Sequence, residues 1–272
     1  MKNLKFNLLY LIVIIGLIVS CNNDDEEPIS EDPIPAASCL PTHLQNDVLA
    51  FYPFSGGSLN DFSGNGRHLN NPTTAVAAQD RNGNANCAFS FDRNNGDFLT
   101  YANPTFINDF DNQAFSISLW FKTSGTRDGG WYEQLIGRDT GLHCPDTYGQ
   151  WSLSLSDCRN SVFGVNDYSL WGDGINNPYG DTTCIYDPSK NVWHHIVVTS
   201  DGTPAGTKMY VDGILSTNTP NTGCNSPQGT NNVGDLFLGK EYTGLLDDVI
   251  IYKRELTQIE AIELFQLTAC CQ

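Results

Sequence analysis

The chain has 272 residues, with 31 Asp and Glu against 14 Lys and Arg, for a formal net charge of −17. A surface this acidic repels phosphate backbones, which excludes nucleic acid as a natural partner. The acid excess suits solubility and cation binding equally well, so it selects between neither.

The first predicted element is an export signal over residues 1–20. Lys2 and Lys5 form a positive start, Leu8 to Val19 is apolar apart from Tyr10 and Gly16, and small Ser20 stands before Cys21. The apolar run is shorter than the roughly 20 residues a bilayer span needs. A cysteine at its boundary, followed at once by polar residues, predicts processing and lipidation at Cys21 rather than a transmembrane anchor. Ile18-Val19-Ser20-Cys21 resembles the bacterial lipobox. Residues 21–38 are acidic and Pro-rich, the composition of a solvated tether. The acidic block after Cys21 resembles the tag that sends some lipoproteins outward. The expected location is the outer membrane, lipid-anchored and surface-exposed.

Residues 39–272 read as one domain. It holds eight cysteines, Cys39, Cys87, Cys144, Cys158, Cys184, Cys224, Cys270 and Cys271. An even count in an exported chain implies disulfides, and the absence of a C-x-x-C pair argues against structural zinc. Connectivity stays open. One arrangement joins Cys39 to the Cys270/Cys271 pair, gives Cys87 the remaining one, and makes local staples of Cys144 with Cys158 and Cys184 with Cys224.

Strands dominate this region. Val48 to Phe54, Ala88 to Phe91, Phe115 to Phe121, Trp151 to Leu155, Trp193 to Thr199, Lys208 to Val211, Leu236 to Leu238 and Leu245 to Tyr252 are short runs rich in aromatic and β-branched residues, many alternating at period two. Each is expected to bury one face. Many such strands without intervening helices predict an all-β, two-sheet antiparallel sandwich. The one helix expected runs over Thr257 to Leu267, with Thr257 and Glu260 spaced as a capping box and an apolar stripe of Ile259, Ile262, Leu264, Phe265 and Leu267. It is expected at the sandwich edge. His194 and His195 are neighbours on a strand and therefore point to opposite faces, one packed and one solvated.

Three segments together resemble the laminin-G-like, concanavalin A-like jelly-roll family. They are Leu49 to Phe54 with Leu59 to His68, then Val192 to Thr199 with Met209 to Gly213, and finally Gly244 to Thr257. The resemblance covers about Asp47 to Phe265 and implies a jelly roll whose terminal strands lie side by side. The stretch from Arg127 to Asp187 is longer and more aromatic than the family pattern requires.

Asp61-Phe62-Ser63-Gly64-Asn65-Gly66 places oxygen-bearing side chains at alternate positions before a glycine, a way to wrap a hard cation. Pro72 stands where an EF-hand needs its bidentate Glu, so an EF-hand is excluded. The family resemblance implies a structural calcium between this loop and the last strand. Asp61 and Asp247 would be side-chain ligands, with Asn65 and Asp248 beside them. The alternative is that Asn65-Gly66 is only a turn. Asp80 to Asn86 and Asp92 to Asp97 read as solvated turns.

No pair of carboxylates shows the spacing of a glycoside hydrolase, and no nucleophile elbow or phosphate-cradling glycine loop is present, so no catalytic residue is assigned. A ligand-binding role has a candidate place in the aromatic stretch. Aromatic faces stack on sugar rings while Asn and Asp bond hydroxyls. Trp131, Trp171 and Tyr179, set among Gly, Asp and Asn, are expected to be exposed there, whereas Trp151 belongs in the core. The expected partner is a glycan, with an extracellular protein as the alternative.

Overall fold

The computed structural model describes residues 39–110, 112–124, 132–139, 151–156, 159–165, 168–172, 191–222 and 234–271. In chain order the strands are β1 (Val48–Tyr52), β2 (Val76–Ala78), β3 (Ala88–Phe91), β4 (Leu99–Tyr101), β5 (Phe115–Thr123), β6 (Tyr132–Asp139), β7 (Trp151–Ser156), β8 (Asn160–Val165), β9 (Tyr168–Trp171), β10 (His194–Ser200), β11 (Lys208–Val211), β12 (Ile214–Thr217), β13 (Asn221–Thr222), β14 (Asp235–Leu238) and β15 (Gly244–Tyr252). A single α-helix, α1 (Gln258–Gln266), follows. No helix among the described residues is long and apolar enough to cross a membrane.

The strands form two antiparallel sheets. One runs β12-β11-β10-β5-β15-β3-β2 with β1 also on β15, and the other runs β13-β9-β8-β7-β6-β14-β4. The first and last strands are neighbours, as expected. One edge of β15 is shared end to end by two partners: Gly244 to Leu246 pair with β3, and Val249 to Tyr252 pair with β1. The gap between those partners falls at Asp247 and Asp248.

A bulge sits in that gap. Against β5, Asp247 faces Trp120 but Ile250 faces Ser118, so β15 carries one extra residue. Asp248 takes up the excess with a left-handed φ of 44°. The bulge resets the alternation so that Leu246, Val249 and Ile251 all enter the core. Without it, either Leu246 or the later pair would face outward.

The main core lies between the sheets. Alternate residues Phe115, Ile117, Leu119 and Phe121 of β5 meet Trp151, Leu153 and Leu155 of β7, all buried. Phe110 stacks on Phe115 and on Trp151 at centroid distances of 4.6 and 5.4 Å, tying the segment before β5 into both sheets. Trp151 is fully buried, as expected. The hydroxyl face of β7 is buried too, since Ser152, Ser154 and Ser156 have almost no exposure. The one-sided strand expected from alternation is therefore buried on both faces.

A second core lies on the outer face of the first sheet. Ala261 and Leu264 of α1 pack over Phe51, Val197, Tyr210, Ile250 and Tyr252. The helix thus covers a sheet face rather than an edge. Its capping box forms as expected: Thr257 Oγ1 accepts from Glu260 N, and Glu260 accepts from Thr257 N at 2.8 Å. The apolar stripe is narrower than expected, because Ile259 is 76% exposed.

Two disulfides close this side of the molecule, Cys39–Cys270 and Cys87–Cys271. Adjacent cysteines at the C-terminus thereby hold both the entry to β1 and the start of β3. Cys144, Cys158, Cys184 and Cys224 lie outside the described residues.

Candidate functional site

The Asp61 loop closes a sheet edge. β15 occupies one side of β1, which leaves the other side's backbone groups needing partners. Asp61 Oδ1 accepts from Phe51 N at 3.0 Å and from Ser63 N at 2.9 Å, and Oδ2 accepts from Arg67 N at 3.0 Å. Phe62 N donates to Phe51 O at 2.8 Å. The Asn65 amide donates to the carbonyls of Val48 and Leu49 and to Ser63 Oγ. Arg67 Nη1 also donates to Leu49 O. Gly64 and Gly66 supply the left-handed turns that let the loop fold back, with φ of 85° and 71°.

Asp247 and Asp248 lie elsewhere, in a buried polar layer under α1. Arg81 from the turn after β2 spans them, with Nη1 2.6 Å from Asp247 Oδ2 and Nη2 2.8 Å from Asp248 Oδ2. The guanidinium lies over the Trp120 ring at 4.4 Å and reaches Leu267 O at 3.3 Å. Cys270 N donates to Asp248 Oδ2 at 3.1 Å. Burial raises both carboxyls above their ordinary range; for Asp247 the neighbouring Asp248 adds to the rise, and Arg81 opposes it for each. Asp80 is the further acid that bears on the pair. It is also near the Cys87 and Cys271 sulfurs, but these are spent in a disulfide and offer no thiolate. Arg81 went unnoticed in the sequence because it sits in an Asp-Arg-Asn-Gly stretch that reads as a turn.

The other acidic clusters are turns, but buried ones. Asp80 accepts from Asn82 N, Asn84 N and Asn84 Nδ2. Asp97 joins Thr74 to Asp92 N. Both carboxylates are almost fully buried rather than solvated.

The two histidines point to opposite faces. His195 is buried on the α1 side beside Trp120 and Phe265, with Nε2 2.8 Å from Ser118 Oγ. Burial, reinforced by the charge of Arg81, lowers its pKa to about 3. His194 is half-buried rather than solvated, and its Nδ1 lies 2.7 Å from Asp212 Oδ2.

Of the aromatic residues expected to meet a ligand, Trp131 and Tyr179 lie outside the described residues. Trp171 ends β9 half-buried, and its Nε1 donates to Ser169 Oγ at 3.2 Å. A different aromatic stands at an open cleft. The cleft has a volume of about 330 Å³ and lies where β1, the Asp61 loop, the segment before β5 and the end of β15 converge. Phe106, Phe110 and Leu49 supply its apolar surface; Arg67, Asn108, Asp109, Gln113 and Lys253 its polar one.

The order of this cleft has identifiable causes. Arg67 lies 4.3 Å over the Phe106 ring, which is braced on its edge by Tyr101 at 5.4 Å. Asn108 Oδ1 accepts from buried Arg138 Nη1 at 2.6 Å, leaving the amide nitrogen of Asn108 as a donor. Asp109 accepts from Gln113 Nε2 at 3.3 Å. A concave surface of this size, partly aromatic and with a few convergent polar groups, is what small-ligand binding requires. Sequence periodicity could not find it, since its residues come from four separate segments.

A laminin G family model, described as the concanavalin A-like lectin/glucanases superfamily, matches residues 92–261. The chain belongs to that superfamily. A 92-residue stretch is 34% identical to the mouse sushi, von Willebrand factor type A, EGF and pentraxin domain-containing protein 1, and 33% identical to its rat counterpart. That match spans 33% of this chain and 2% of each relative. Among solved structures, the binding domain of Paraclostridial mosquitocidal protein 1 superposes with a TM-score of 0.60 at 20% identity, covering 82% of this chain and 52% of that one. Domain 4 of the extracellular arabinanase of Geobacillus stearothermophilus, solved with arabinotriose, gives 0.53 at 18% identity, covering 81% and 98%. At such identities these superpositions establish the laminin-G-like jelly-roll fold.

Proposed function

We propose that this chain is a surface lipoprotein whose jelly-roll domain binds carbohydrate, and that the cleft between Phe106 and Lys253 is the binding site. The observation that carries the reading is the cleft itself. It combines an aromatic face with Asn108, Asp109 and Gln113 around one concavity of about 330 Å³. Sugars need both features, an apolar face for the ring's C–H groups and amides or carboxylates for its hydroxyls. The arabinanase domain solved with arabinotriose shares the fold and supports the same reading. Binding of the full-length chain to an array of defined glycans, repeated with Phe106→Ala, tests it. Glycan capture lost in the variant supports the site. Capture of a protein with no glycan bound would instead favour an adhesion role.

The anchor is part of the proposal. Lipidation at Cys21, with residues 21–38 as a tether, would hold the domain at the outer membrane and facing outward. Metabolic labelling with palmitate should mark the wild-type chain and not Cys21→Ser. Protease accessibility on intact cells should then separate an outward-facing domain from a periplasmic one.

The calcium expectation takes a specific form in this reading. Asp61 is engaged by three backbone N–H groups and Asp247 and Asp248 by one guanidinium. We read Arg81 as the cation of that acidic pair, an arrangement that fits an internal ion pair better than a calcium shared with Asp61. Calorimetric titration with calcium chloride should give no heat of specific binding. A stoichiometric calcium site abolished by Asp61→Ala would reverse this reading.

A further inference from the structure

We propose that the cleft selects an acidic glycan, one bearing a carboxylate such as a uronic acid; this rests on the carbohydrate-binding reading above. Acids outnumber bases 31 to 14 in this chain, so a cation has many possible partners. Several of the described cations find one. Arg81 pairs with Asp247 and Asp248, Arg93 with Glu241, Arg159 with Glu133, Lys208 with Glu255 and Arg254 with Glu260. Arg67, Lys122 and Lys253 form no ion pair among the described residues; Lys122 lies over the Trp193 ring, whereas Arg67 and Lys253 line the same cleft.

The setting of each supports recognition of an anion. Arg67 is held by Phe106 beneath it and by the Leu49 carbonyl at Nη1, so its remaining N–H groups are presented in a fixed plane. A planar, pre-oriented guanidinium suits a carboxylate better than a flexible ammonium does. Lys253 lies just beyond β15, its backbone tied by a 2.8 Å hydrogen bond to Asp47 O and its side chain exposed. It can therefore swing to meet a charge. The acid on the cleft wall, Asp109, is already turned to other work. It receives Gln113, and its charge acts on buried Arg138 behind the wall. The cleft is thus locally cationic on a strongly anionic molecule. Such an inversion repels little of what an acidic sugar brings and rejects acidic ligands everywhere else on the surface.

The test presents the full-length chain, in EDTA, to an array of neutral, carboxylated and sulfated glycans of matched length. Carboxylated glycans should bind at least tenfold tighter than neutral ones. Lys253→Gln, a surface change that leaves the fold intact, should weaken that binding by about three- to tenfold and flatten its salt dependence. Arg67→Gln should weaken it further; retained near-UV dichroism would separate lost recognition from a disturbed β1 edge. Preference for sulfated over carboxylated glycans would overturn the carboxylate assignment. Equal binding of neutral glycans, lost in Phe106→Ala but unchanged in Lys253→Gln, would overturn the charge inference while leaving the binding site standing. No glycan bound at all would remove both.

Discussion

Arg81 Nη1 lies 2.6 Å from Asp247 Oδ2, with 7% and 1% of the two side chains exposed. Asp248 shares the same guanidinium, so one buried cation faces two carboxyls. Burial raises the pKa of both acids, and for Asp247 the neighbouring Asp248 adds to the rise.

Removing the cation and removing an acid should have opposite consequences. Arg81→Gln strands two buried carboxyls and should destabilise the domain by about 3–5 kcal/mol. Asp247→Asn removes the surplus charge and should leave stability at pH 7 unchanged or higher. Urea unfolding of the two variants beside wild type reads both signs. Equal losses would mean that the pair, rather than the excess negative charge, dominates.

His195 makes stability fall on the acid side. Its folded pKa of about 3 lies below the ordinary value of 6.5, so the folded state keeps it neutral. As pH drops below 6.5 the unfolded chain gains a proton that the folded chain refuses, and stability is lost progressively toward pH 3, at up to about 1.4 kcal/mol per pH unit. Asp247 and Asp248, with raised pKa values, act oppositely and gain stability as pH falls. His195→Gln should therefore flatten the decline between pH 6.5 and 5. Imidazole NMR resonances should show His195 still neutral at pH 5, and titration near 6.5 would refute its burial.

The two disulfides close almost the same loop, with separations of 231 and 184 residues. Either one therefore supplies much of the constraint on the unfolded chain. Cys39→Ser with Cys270→Ser should cost about 2–4 kcal/mol, and removing both bridges should cost more than one but less than twice that. Guanidinium denaturation midpoints of the single and double removals measure the shortfall from additivity.

In the cleft, Phe106→Ala should reduce glycan affinity by about tenfold or more, whereas Trp171→Ala should leave it unchanged. The loss expected of Phe106 combines its apolar contact with the support it gives Arg67, about 1.4 kcal/mol or above. Trp171 is half-buried and bonded to Ser169, and it does not line the cleft. Affinities measured by calorimetry with whichever array glycan binds best decide between the two aromatics.

Much of the fold was legible in local pattern. The period-two runs at Phe115, Trp151 and Leu245 became strands, and Thr257 with Glu260 started the helix where expected. Strands β4, β9 and β12 were not read from the sequence, although the equally short β3, β11 and β14 were. The helix α1 covers a sheet face rather than the edge expected of it, since Ala261, Leu264 and Phe265 meet the sheet while Ile259 faces outward.

By itself the sequence determined the class of the domain, the adjacency of its end strands through their motifs, and the cysteines available to bridge them. The class and the cysteines follow from local alternation, turn chemistry and composition, which need no knowledge of distant neighbours, while the adjacency of the end strands is what the family resemblance implied. Only the tertiary structure decided what the acidic residues do. Asp61 became the cover of a strand edge because β15 left that edge open, and Asp247 and Asp248 met a cation 166 residues away along the chain. It also decided where the proposed binding cleft forms, since Arg67, Phe106 and Lys253 come together only once β1 and β15 have paired. Long-range pairing sets those contacts, and no short stretch of sequence encodes them.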